Sequence, residues 1–122
     1  MQLAVVDGID ITRFIDKETY KVNSSDVYES WQNGNFIEKR IQIRTRVEGS
    51  FTIRCGKGFT LDRFLEYWNG AVEDKIVTIG VFVQNNNDFE AIQAFYKFEG
   101  QQHVELDNGG FYDELNISIQ EC

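Results

Sequence analysis

The chain has 122 residues, 42% hydrophobic, 14% aromatic and 26% charged, a profile that excludes intrinsic disorder and supports one hydrophobic core, so a single domain over 1–122 is expected. Twenty acids against twelve bases give a net charge of −8, which repels nucleic acid unless the bases gather on one patch. They are partly gathered: the balance is −3 over 1–37, +4 over 38–63 and −9 over 64–122.

The amino end, MQLAVVDGID, meets an acid at its seventh residue and has no basic leader region, which predicts a chain that is not secreted. Asp7-Gly8 stands between LAVV and IDIT. This predicts a tight hairpin of residues 2–6 and 9–12 with both turn residues at positive φ. Residues 18–28 read as an extended segment interrupted at Asn23-Ser24-Ser25, and Trp31 to Asn35 as an exposed, mobile loop.

The strongest alternation runs from Ile37 to Cys55. Ile41, Ile43, Val47, Phe51, Ile53 and Cys55 share one parity, and Arg40, Gln42, Arg44, Arg46, Ser50, Thr52 and Arg54 the other. At 3.3 Å per residue such a stretch spans roughly 60 Å, too long for a small sandwich without a bend or a turn at Glu48-Gly49-Ser50. It is one bent strand or a hairpin, with the arginines on its solvent face. Leu61, Phe64, Leu65 and Trp68 then recur at helical spacing. This predicts one helix over 60–70, with Thr60 as its N-cap, Gly70 as its stop and Trp68 in the core.

Lys75–Gln84 is apolar at nearly every position, and Phe89–Phe98 carries Ile92, Ala94, Tyr96 and Phe98 in step. This is a central hairpin covered on both faces, by another sheet and the helix or by a neighbouring subunit. A short strand at 103–106, a turn at Asp107-Asn108-Gly109-Gly110 and a last strand at 111–120, with Phe111, Leu115, Ile117 and Ile119 inward, complete seven or eight strands. The fold class is therefore mainly β: an antiparallel β-sandwich or barrel with one packed α-helix. The longest uncharged run with several apolar residues, Ile76 to Asn87, falls short of the roughly 20 residues that cross a bilayer, so no membrane span is expected.

Motifs for chemistry are sparse. The one histidine, His103, has no nucleophile motif around it, and CGKGF at 55–59 lacks the phosphate-loop spacing. Cys55 and Cys122 have neither zinc-site spacing nor a secretion context, which predicts a buried reduced thiol and a terminal one rather than a disulfide. No catalytic residue, metal or cofactor is expected. Tyr20, Tyr28, Trp31 and Phe36 lie in a polar region. They either cover the open end of the sandwich or meet a neighbouring subunit. With Arg40, Arg44 and Arg46 they form the candidate subunit-interface or partner-binding set.

VDGIDITRFI (6–15), VEGSFTIRC (47–55), LDRFLEYWNG (61–70) and GGFYDELNISIQEC (109–122), in that order, resemble the tail-tube-like domain of long-tailed bacteriophages. The similarity extends to the amino-terminal domain of distal tail proteins, whose opening phrase is matched by Gly8, Asp10, Ile11, Thr12 and Phe14. Distal tail proteins carry a further carboxy-terminal, often sugar-binding-like domain, so a tube subunit, a tail-completion protein or another small phage structural protein is the alternative within the same resemblance. The resemblance implies a non-enzymatic virion structural protein, made in the bacterial cytoplasm and placed in the tail. Its partners would be copies of itself in a six-membered ring, together with other tail proteins. An acidic lumen would pass DNA without binding it tightly, and opposite charges on the two ring faces would favour stacking. The alternative is a monomeric carbohydrate- or protein-binding β-sandwich module.

Overall fold

In the computed structural model, backbone is described for residues 1–32 and 38–122, and side chains for 1–26 and 45–122. In chain order the described residues form β1 (Ala4–Val6), β2 (Ile9–Asp10), β3 (Lys21–Gln32), β4 (Glu38–Gly56), α1 (Leu61–Gly70), β5 (Val72–Glu73), β6 (Ile76–Val83), β7 (Asp88–Glu105) and β8 (Phe111–Glu121). All pairings are antiparallel. The order across the sheet is β2-β1-β6-β7-β8-β4-β3, with β5 also on β6. The expected class, mainly antiparallel β with one helix, is what the chain adopts.

Asp7 and Gly8 turn the chain between β1 and β2 with φ of 52° and 74°, the left-handed pair that a two-residue hairpin requires. Thr60 Oγ1 accepts the Arg63 N–H and starts α1. The helix buries Leu61, Phe64 and Trp68, with Leu65 half-buried. Trp68 sits edge-on to Tyr96 at 5.2 Å and tilted against Phe98 at 5.6 Å, so α1 closes one side of a concave sheet. The inward parity of β4, β6 and β8 fills that concavity with Val47, Phe51, Ile53, Cys55, Val77, Ile79, Val81, Val83, Leu115, Ile117 and Ile119, all buried. Cys55 and Cys122 form no disulfide, and burial pushes the Cys55 thiol up to about 11.

Several local expectations are corrected. The segment expected to break at Asn23-Ser24-Ser25 is uninterrupted in β3, because each of these residues has a partner on β4 over Val47–Glu48 and Arg46. Trp31 and Gln32 extend that strand, and the rest of the expected loop lies outside the described residues. Of the two readings of the long alternation, one strand and not a hairpin is adopted; at Gly49 β3 approaches so closely that a Cβ would collide with the Lys21 carbonyl oxygen and Val22 Cα. Phe89–Phe98 and the expected strand at 103–106 join in one strand that ends at Glu105, since β6 pairs with its first part and β8 with Ala94 to Glu105, with a register shift between Phe98 and Gly100. Gly70 is the last helical residue rather than a left-handed stop, and Ala71 caps in the right-handed region. Its lack of a side chain answers a different need: a Cβ there would stand 3.0 Å from Asp7 Oδ2. Phe111 is exposed and packs against His103 at 5.4 Å, because it lies at the far end of the β7–β8 hairpin, past the core.

The sheet is not closed by backbone pairing, yet its two ends meet through side chains. Gln84 lies in the short 3-10 turn after β6. Its Oε1 accepts the Val22 N–H and its Nε2 donates to the Tyr20 carbonyl. Asn85 does the same at Ser24, accepting its N–H at 2.8 Å and donating to its carbonyl at 2.7 Å. Two side-chain amides thus stand in for a missing strand along the open edge of β3. The buried Tyr20 hydroxyl donates to the Phe82 carbonyl at 2.6 Å with the Leu3 carbonyl at 3.1 Å, which satisfies polar groups that burial would otherwise leave costly.

Candidate interaction surface

Strand β6 alternates, and its outward parity with that of β7 makes a second apolar surface. Ile76, Thr78, Gly80 and Phe82 stand opposite Phe95, Gln93, Ala91 and Phe89 in register. Phe95 is 54% exposed and Phe89 38%. The hairpin was expected to be covered on both faces. Within a single chain only the inner face is covered, because α1 and the remaining strands gather on the concave side. The Phe89 ring lies across Gly80, where a Cβ would come within 2.7 Å of two ring carbons. That close approach lets the ring lie down on the sheet.

At the β1 end of this face the sheet floor meets the β1–β2 turn and the end of α1 in a groove of about 790 Å³. Val5, Gly80 and Ala91 floor it, Phe89 walls it, and the Asp7 and Glu73 residues contribute to its lining. Lysine and arginine are absent from the described lining.

The other end of α1 is built differently. The Arg13 guanidinium lies 4.6 Å from the Phe14 ring centroid. Phe14 stacks on Phe59 at 4.3 Å, and Phe59 on Tyr67 at 5.8 Å. Arg63 covers Phe59 at 5.6 Å and Tyr67 at 6.0 Å. Two exposed guanidiniums therefore flank an aromatic stack, each held by cation–π attraction. Neither has an ion-pair partner among the described residues, unlike Arg54, which is bound by Asp16 at 3.1 Å and Glu114 at 2.9 Å.

His103 and Asp113 are direct cross-strand neighbours near the tip of the β7–β8 hairpin, with His103 Nδ1 2.6 Å from Asp113 Oδ1. Glu105 Oε1 lies 3.7 Å from Nε2. The hydrogen bond to Asp113, aided by the charges of both carboxylates, raises the histidine pKa. This is an exposed pair with no nucleophile beside it in the described contacts. No group of three metal-ligating side chains occurs among the described residues, and none of the described helices is long and apolar enough to cross a membrane.

The residues selected from sequence divide into three groups. Tyr20 is 4% exposed and belongs to the seam, where its hydroxyl is already engaged. Arg46 is half-buried, with its Nε shut off from solvent and without a hydrogen-bond partner among the described residues. The side chains of Tyr28, Trp31, Arg40 and Arg44 lie outside the described residues, as does all of Phe36. Their backbone positions nevertheless come together. Tyr28 pairs with Gln42, Trp31 with Lys39, Ser30 with Arg40 and Val27 with Arg44, on a β3–β4 ribbon past Glu48, where the pairing of β8 with β4 ends. Sequence reasoning missed the Arg13–Phe14–Phe59–Tyr67–Arg63 stack. Its members come from two segments, 13–14 and 59–67; Phe59, Arg63 and Tyr67 recur at a four-residue spacing that a sequence reading can follow, but no local signal brings Arg13 and Phe14 onto them.

Comparisons of the chain with family models, with curated proteins and with solved structures find no match.

Proposed function

We propose that this chain is a non-catalytic structural subunit that assembles with copies of itself, as a ring component of a bacteriophage tail. The observation that carries the self-assembly reading is the outward phenylalanine face of β6 and β7, uncovered in the single chain. Isolated exposed apolar residues are ordinary, but phenylalanines aligned on one sheet face beside an open groove are the composition of an interface centre. The tail assignment is supported by the phrases at 6–15, 47–55, 61–70 and 109–122 that resemble tail-tube-like domains. The uneven charge along the chain also favours it, since opposed faces suit stacked rings.

The test is the mass of the purified chain by light scattering, over a concentration series at low and moderate salt. Rings or open stacks are expected. A strict monomer throughout overturns the self-assembly reading and favours the monomeric binding module, to be followed by a glycan screen.

A further inference from the structure

We infer that copies of this chain join head to tail, with Arg13 and Arg63 of one copy entering the Asp7–Glu73 groove of the next. The inference rests on the self-assembly reading and specifies its geometry. The two surfaces sit at opposite ends of α1, whose ten residues span about 15 Å. The guanidiniums lie toward the N-terminal end, and the carboxylate-lined groove abuts Gly70, Ala71 and Val72 at the other.

What each surface lacks, the other offers. Arg13 and Arg63 are exposed, flattened on aromatic rings and without ion pairs among the described residues. Asp7 and Glu73 are exposed carboxylates that likewise make no ion pair among the described residues. A guanidinium entering the groove gains a forked hydrogen bond to a carboxylate and the exposed face of Phe89. Because the aromatic stack already orders both arginines, little side-chain entropy remains to be lost on docking. Asp62 and Glu66 neighbour Arg63 on α1 without pairing to it, so the attraction comes from placed guanidiniums rather than from net positive charge. A two-fold contact satisfies both pairings within one closed dimer, whereas a head-to-tail contact leaves one surface of each kind free and propagates into a ring or a stack, so a mass that stops at the dimer overturns the head-to-tail geometry.

The experiment uses two surface variants of the full chain. One is Arg13→Glu with Arg63→Glu. The other is Glu73→Lys with Asp7→Asn, asparagine being chosen because it tolerates the positive φ of residue 7. Sedimentation velocity and light scattering read association, and circular dichroism with a urea midpoint confirms the fold. Each variant alone is expected to associate about tenfold more weakly or worse than wild type, while an equimolar mixture regains association because the reversed charges match. If either reversed variant fails to fold, Arg13→Gln with Arg63→Gln and Glu73→Gln take their places, each again expected to weaken association. Variants that associate as well as wild type overturn this contact and leave self-assembly standing. Loss in both reversed variants without recovery in the mixture also overturns it. A wild-type chain that is monomeric under every condition overturns both the contact and the reading beneath it.

Discussion

Tyr20 shows how one side chain decides whether a sheet end is held. Its hydroxyl reaches carbonyls on both β1 and β6 flanks, at Leu3 and Phe82, while its ring stacks on Phe51 at 5.9 Å. Burial pushes its ionisation above the ordinary tyrosine range, so it remains a neutral donor. Tyr20→Phe keeps the ring and removes the donor, leaving carbonyls less satisfied at a site closed to water. The expected loss is about 1–3 kcal/mol, measured as a lowered urea midpoint with unchanged slope. An unchanged midpoint would mean that the seam draws its stability from Gln84 and Asn85 instead. From sequence, Tyr20 read as a surface aromatic in a polar stretch. Nothing local reveals that Leu3 and Phe82, 17 and 62 residues away, converge on it.

At the scale of elements, the turn and the helix were legible because their causes are local. The Asp7-Gly8 turn follows from the φ its residues tolerate, and α1 from a cap and a 3.6-residue period. Strand continuity was less legible. Asn23-Ser24-Ser25 and Gly100–Gln102 carry turn-like residues, yet both lie within strands because a neighbouring strand accepts their backbone groups, and ladder pairing overrides propensity. The far part of the β7–β8 hairpin is set by such pairs, among them His103 with Asp113. The folded pKa of His103 is raised. Its contribution to stability is therefore fully present below the ordinary histidine value of about 6.5, and is lost as pH rises through the folded value. Asp113→Asn is expected to bring the imidazole titration, followed by NMR, back toward that ordinary value. An unmoved titration would show that the cross-strand bond is not made in solution.

For the whole molecule, the decisive feature is that one sheet uses both faces while only one is covered. The inner face is filled by α1 and by curvature. The outer face of β6 and β7 keeps Phe95 and Phe89 in water. Phe95→Ser removes apolar surface that supports no inner packing, so stability is expected to change by no more than about 0.5 kcal/mol. Association should nevertheless weaken, read as a lower mass at equal concentration in light scattering. A variant that assembles like wild type would exclude this face from the interface. Salt provides a second axis. Attraction between exposed charges is screened beyond roughly 10 Å at 0.1 M, whereas burial of phenylalanine is not, so the two contributions separate along a salt series.

The sequence by itself determined what depends on neighbours in the chain: the Asp7-Gly8 turn, the span of α1, the inward parity of β4 and of Leu115, Ile117 and Ile119 on β8, and the unequal distribution of charge. Backbone dihedrals, capping and side-chain periods act over a few residues, and those few can be read in order. Only the tertiary structure decided that Gln84 and Asn85 would complete the edge of β3, that β7 would run unbroken through its register shift, and that Arg13 and Arg63 would flank one aromatic stack. Each of these joins segments far apart in the chain, and their meeting depends on the order and curvature of the strands between them.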